Sequence, residues 1–262
     1  MVGPLQLAVG VTYMVLTSIL TPPYLRIIYI LIKNKAFRSL ECYQIMINIG
    51  VVQCCLAPGV FLLGLIQILD DNPWNIANYV VRVYTTALRM EACLSFVLAL
   101  NRLKVICQLK YPNWIHKMLV ATIWILGIFN YCLLNTSWAG YYATPGVFST
   151  HFDLFKPYSY LLQQTGSYLM MASFVLSFVT YTIISIYLLK MRKSTQFNTQ
   201  ATKENHVLIY AVTRFVVDVT LAVIYNYRVR NKFCDIFRLC VFAYFYALFF
   251  MFVKIFVFYA SF

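Results

Sequence analysis

Seven apolar runs, at about residues 8–32, 43–69, 76–106, 118–138, 158–189, 206–227 and 235–259, occupy most of this chain, and clusters of charge separate them. A helix that crosses a bilayer needs roughly 20 apolar residues. Runs of this length and number predict an all-α fold, a bundle of seven transmembrane helices joined by short loops. The third and sixth runs are the weakest, because ionisable residues interrupt them. No linker, low-complexity tract or internal repeat divides the chain, so residues 1–262 read as one domain. Composition agrees: 62% of the residues are hydrophobic and 11% charged, against about 45–50% and 25% in soluble domains. Too little polar surface remains to clothe a soluble globule.

The charges orient the bundle. Lys and Arg number 21 against 8 Asp and Glu, a net charge of +13. Lys33, Lys35 and Arg38 follow the first run; Arg102, Lys104, Lys110 and Lys117 follow the third; Lys190, Arg192, Lys193 and Lys203 follow the fifth. Only Glu41 and Glu204 offset these basic residues. The alternate loops hold Asp70 and Asp71, then Asp153 and Lys156, then Arg228, Arg230, Lys232 and Asp235. Short loops rich in Lys and Arg stay cytoplasmic, which predicts an external N-terminus and an internal C-terminus. The last outer loop, with three basic residues, runs against this order. The excess positive charge therefore records orientation in a membrane, and nucleic acid is not an expected partner. Met1 to Leu7 lack the basic region and cleavage site of a signal peptide, so the first run is expected to persist as a helix.

Catalytic motifs are absent. There is no P-loop, GxSxG or HExxH pattern and no paired metal ligands; His116, His151 and His206 sit apart in loops or at span edges. No enzyme activity, metal or cofactor is expected. The eight cysteines lie in or beside apolar runs without CxxC spacing, which reads as buried free thiols.

The ionisable residues inside the runs are the candidates for function, because charge is costly in a bilayer. Arg102, in Leu98-Ala99-Leu100-Asn101-Arg102-Leu103, lies where the third run meets the cytoplasm. It is either an interfacial anchor or a functional cation. Arg82 and Arg89 are seven residues apart, on one face of the outer half of the third run. They could attract an anionic ligand, or they could snorkel or pair with Glu91 or a neighbouring helix. Arg214 and Asp218, four apart on the sixth run, can pair along one face and read as a structural ion pair. Arg26 and Lys254 are expected to snorkel to the cytoplasmic boundary. Trp74, Trp114 and Trp138 sit at run edges as interfacial belt residues do. Asn135-Thr136-Ser137 is a glycosylation sequon set close to the expected bilayer surface.

Three stretches carry a resemblance. They are Gly10-Val11-Thr12-Tyr13 with Pro22-Pro23-Tyr24-Leu25, then Cys42-Tyr43-Gln44-Ile45-Met46-Ile47-Asn48-Ile49-Gly50, then Leu98-Ala99-Leu100-Asn101-Arg102. Phe152-Asp153 followed by Pro157-Tyr158 is a weaker fourth. Over roughly residues 10–190 the chain resembles the nematode serpentine chemoreceptors, seven-helix proteins of the G-protein-coupled type, and class T most of all. The resemblance implies a plasma-membrane receptor, of sensory neuron cilia in that family, which couples an external odorant-like small molecule to a heterotrimeric G protein. It gives Asn101 and Arg102 the role of the coupling switch and leaves ligand contacts to the outer halves of the helices.

Several family features are missing. Val51-Val52-Gln53 stands where the family has an acidic residue after the second-run glycine. No cysteine opens the third run, so the usual bridge to the loop before the fifth cannot form. No proline follows Pro157, the seventh run lacks Asn-Pro-x-x-Tyr, and the sequence stops at Phe262 without a tail or an eighth helix. These absences keep open a divergent or truncated seven-helix protein without signalling activity. A transporter would line a path with Arg82, Arg89, Glu91, Arg214 and Asp218, but neither repeats nor broken helices support it.

Overall fold

The computed structural model describes residues 3–35, 40–72, 75–148 and 150–194. The sixth and seventh runs, and with them Arg214, Asp218 and Lys254, lie outside the described residues. So do Arg38, Trp74 and Lys203. Within the described chain the order is α1 (Pro4–Lys33), α2 (Glu41–Leu69), α3 (Ile76–Ile106), α4 (Trp114–Leu134), β1 (Tyr141–Tyr142), β2 (His151–Phe152) and α5 (Ser159–Ser194). All five helices are long and apolar enough to cross a membrane. They form an all-α membrane bundle with one short hairpin. Lys33, Glu41, Arg102 and Trp114 mark its basic end, and the hairpin marks the other.

Local chemistry explains the boundaries. Pro4 opens α1, where its missing N–H and fixed φ are tolerated. Glu41 sits in the first turn of α2, where a negative charge meets the positive end of the helix dipole. Helix α2 stops where Asp70 turns left-handed, at φ 55°, and its N–H closes on Ile66 O. The fourth run is displaced from its expected position: the helix begins at Trp114 and ends at Leu134, four residues earlier than the apolar pattern suggests. The N–H groups of Asn135 and Thr136 bond back to Cys132 and Leu133, which ends the helix in a tight turn before Trp138. The first turn of α4, with Trp114, His116 and Lys117, is consequently helical. With no proline after residue 157, α5 continues unbroken through 36 residues.

Helix α3 is the hub of the bundle, touching α2, α4, α5 and β1, while α1 packs chiefly on α2. The α1–α2 crossing is a backbone contact. A Cβ on Gly10 would lie 2.8 Å from Gly64 O, and one on Gly64 would lie 2.7 Å from Gly10 O. Only glycine allows that approach, and close backbone packing is a main source of helix association in lipid. One core cluster joins Ile45, Ile49, Val52 and Leu56 of α2 to Leu94, Val97 and Leu98 of α3, with Ile123 and Trp124 of α4 against it. A second, at the hairpin end, packs Tyr141 and Phe152 onto Leu63, Ile66, Val81 and Leu134.

Helices α2 and α3 bury more than half of their most apolar segments, whereas α4 buries 11%. The rest of that α4 segment is half-buried or exposed. This corrects the expectation of buried cysteines. All six described ones are free; five are half-buried, and Cys132 of α4 is exposed. A thiol facing hydrocarbon needs no protein cover, so apolar surroundings in the sequence do not distinguish the two cases.

Candidate functional site

At the basic end a single carboxylate of α2 gathers side chains from α3, α4 and the loop between them. Asn101 of α3 donates its Nδ2 to Glu41 Oε2 at 3.0 Å. His116 of α4 places Nδ1 3.1 Å from Glu41 Oε1, and Lys104 of α3 brings Nζ to 3.8 Å from Oε2. Tyr111, in the loop between α3 and α4, sets its hydroxyl 3.0 Å from His116 Nε2 and 3.3 Å from Leu100 O. Lys104 also lies 4.6 Å from the Tyr111 ring centroid and donates to Asn113 Oδ1. His116 and Asn101 are each 1% exposed. The histidine, isolated in sequence, is thus a buried member of the cluster.

The proton arrangement follows from donor and acceptor rules. A carboxylate only accepts, so His116 Nδ1 must carry a hydrogen. In the neutral ring Nε2 then accepts from the Tyr111 hydroxyl; in the doubly protonated ring Nε2 donates, and the hydroxyl turns to Leu100 O. The single hydroxyl proton therefore serves His116 Nε2 in the first arrangement and Leu100 O in the second. Burial, and then the negative charge of Glu41, holds the Tyr111 hydroxyl pKa above its ordinary value.

Arg102 stands next to this cluster but outside it. Its side chain is half-buried and within electrostatic reach of Cys42 and Tyr43 in the first turn of α2. It makes no hydrogen bond or ion pair to another described residue. Its sequence neighbours Asn101 and Lys104 hold the end of α3 through Glu41.

Midway through the bundle Tyr24 of α1 donates to Gln53 of α2, which donates to Glu91 of α3. Gln53 and Glu91 are both buried. The resemblance implies an acid shortly after the glycine of the second span, where this sequence has Val51-Val52-Gln53. A buried acid is present on the third span instead, and Gln53 is its partner.

The hairpin end holds Arg82 and Arg89. Arg82 donates NH1 to Asn135 Oδ1 at 2.8 Å, beyond the end of α4, and its Cζ lies 5.1 Å from the Tyr79 ring and 5.9 Å from that of Tyr142. Arg89, 7% exposed, donates NH2 to Leu162 O of α5 at 3.1 Å, with Cζ 5.5 Å from the Phe152 ring. It reaches α5 because Gly166 leaves room: a Cβ there would lie 2.2 Å from Arg89 Cζ. The two arginines share the side of α3 that faces α4, the hairpin and α5, yet they engage different partners. Asn135, the sequon residue, holds Arg82 and also donates to Tyr131 O.

Hydrogen bonds anchor the hairpin where no cysteine bridge can form. Gln67 of α2, fully buried, donates Nε2 to Val147 O at 2.9 Å and accepts from Gly146 N at 3.0 Å. Asn78 of α3 accepts from Ala143 N at 3.1 Å, and Tyr13 of α1 donates to Phe148 O at 3.2 Å. Gln53, Gln67, Asn78, Tyr111 and His116 were not evident from sequence as parts of these networks. The one signal at the basic end is Glu41, an isolated acid among basic loop residues.

No family model and no curated relative matches the sequence. Among solved structures, the crystal structure of squid rhodopsin is similar, with a TM-score of 0.63 at 12% identity, covering 84% of this chain and 68% of that one. The chain therefore has a rhodopsin-like fold and is a multi-pass membrane protein.

Proposed function

We propose that the chain is a chemosensory receptor of the G-protein-coupled type, one domain of seven helices with the basic end in the cytoplasm. In this reading it lies in the plasma membrane and couples an external small molecule to a heterotrimeric G protein. Its fold is that of a receptor family rather than of enzymes. The resemblance to the nematode serpentine receptors of class T supplies the sensory role and the ciliary location. Arg102 carries the reading. It is a half-buried cation at the end of the central helix, without a hydrogen bond or ion pair among the described residues, beside a helix end that Glu41 holds through Asn101 and Lys104. A switch needs two discrete arrangements, and a cation free to change partners supplies one element of them.

Ligand contacts would come from the hairpin end, where Arg82 and Arg89 favour an anionic or strongly polar group. Arg214 and Asp218 would serve as a structural pair in the sixth helix. A ligand shifts the population only through differential affinity for one packing of the helices.

The test is expression in a reporter cell against a panel of volatile and water-soluble odorants, with Arg102→Ala as the control. A response lost in Arg102→Ala at equal surface expression supports the proposal. Surface expression with no response and no G-protein recruitment would favour a seven-helix protein that does not signal, which the proline-free α5 also fits.

A further inference from the structure

We infer that the outer face of α1, near its basic end, binds the phosphate of an anionic membrane lipid through Arg26, Tyr29 and Lys33. The three residues follow one another at helical spacing, three and then four apart, so they form one stripe. All three are exposed, and Tyr24, which points into the bundle, is buried. Arg26 Cζ lies 6.0 Å and Lys33 Nζ 5.6 Å from the centroid of the same Tyr29 ring. Two cations thus converge on one aromatic side chain.

Depth decides which anion can fill the gap. Lys33 ends α1, and Arg26 lies seven residues further in, about 10 Å at the rise of an α-helix. The helix is 30 residues long, enough to cross both the hydrocarbon and much of the headgroup region. Arg26 therefore begins inside the hydrocarbon boundary and reaches outward toward Lys33, which is the geometry of a snorkelling cation. No carboxylate meets it among the described residues; the acid at this end, Glu41, is occupied by Asn101, His116 and Lys104. An anion that approaches α1 from the bilayer side at headgroup depth is a lipid phosphate. Two cations favour a lipid with net negative charge, such as phosphatidylserine, over a zwitterionic one. The inference requires only that α1 spans a bilayer and is independent of the receptor proposal.

The test uses the full chain reconstituted in phosphatidylcholine vesicles with trace spin-labelled phosphatidylserine or spin-labelled phosphatidylcholine, read as relative association at the protein surface. The wild-type chain should prefer the phosphatidylserine label. That preference should fall in Arg26→Gln and in Lys33→Gln, and fall furthest in the double variant. Lys110→Gln/Lys117→Gln, which removes two charges elsewhere at the same end, should retain it. Inorganic phosphate should not displace the label; displacement would overturn the lipid assignment. An unchanged preference in the double variant, or an equal loss in the Lys110/Lys117 control, would overturn the site. If the double variant does not fold, Lys33→Gln alone, at the exposed helix end, must still lower the preference.

Discussion

The two ends of α3 are held by different kinds of contact. At the hairpin end, side chains bond mainly to backbone: Gln67 to residues 146 and 147, Asn78 to residue 143, Arg89 to residue 162. At the basic end, side chains bond to side chains around the carboxylate of Glu41. A backbone group has few alternatives, so the first arrangement fixes a loop in place much as a covalent bridge would. Titratable and charged side chains can trade partners, so the second can exist in two forms. The contrast separates a permanent closure from a candidate switch.

The strongest way to break this contrast lies at the hairpin end. Gln67→Leu removes its bonds to residues 144, 146 and 147, a loss of about 2–3 kcal/mol at roughly 1 kcal/mol each. Thermal unfolding in detergent should show it, together with faster proteolysis between residues 140 and 150. Gly166→Ala comes next. Its Cβ would meet the Arg89 guanidinium at 2.2 Å, whereas a Cβ on Gly127 would meet the Met90 sulfur at the same distance. A thioether can swing aside, but the guanidinium is tied to Leu162. Gly166→Ala should therefore cost about 2 kcal/mol and Gly127→Ala under about 1 kcal/mol, compared by the same unfolding measurement.

At the basic end the effects on stability should be smaller. Glu41→Gln keeps the acceptor for Asn101 but loses the charge that faces His116 and Lys104, for about 1 kcal/mol. Tyr111→Phe should cost less still and change the response to alkali. Because the folded chain holds the Tyr111 proton above its ordinary value of 10.0, the unfolded chain releases that proton first. This contribution is complete below that pH and is lost as pH rises through the folded value. Unfolding midpoints from neutral pH to pH 11 should fall less steeply for Tyr111→Phe than for wild type.

How much of this was legible in the sequence differs between the same regions. Long apolar runs bounded by charge located α1, α2, α3 and α5 within a few residues, because bilayer thickness leaves little choice. Helix α4 slipped by one turn, since His116 and Lys117 read as loop until Glu41 and Tyr111 are seen to pair with His116. Arg82 and Arg89 were identified by a spacing of seven that sets both on one face, and that face does turn toward α4, the hairpin and α5. The Glu41 cluster was not legible: its members at 41, 101, 104, 111 and 116 meet only because α2, α3 and α4 pack side by side. The two-residue strands carry no periodicity of their own. Pro145-Gly146 between them was the only turn signal.

The central claim is that Glu41 restrains the end of α3 while Arg102 acts from it, and guanine-nucleotide exchange without ligand tests this most directly. Wild type, Glu41→Gln, Arg102→Ala and the double variant would be reconstituted at equal folded amount with a panel of heterotrimeric G proteins. If Glu41 stabilises the resting arrangement by about 1 kcal/mol, its loss should raise basal exchange about fivefold, and Arg102→Ala should abolish the rise. Basal exchange unchanged in Glu41→Gln, or a rise that persists without Arg102, would contradict the account.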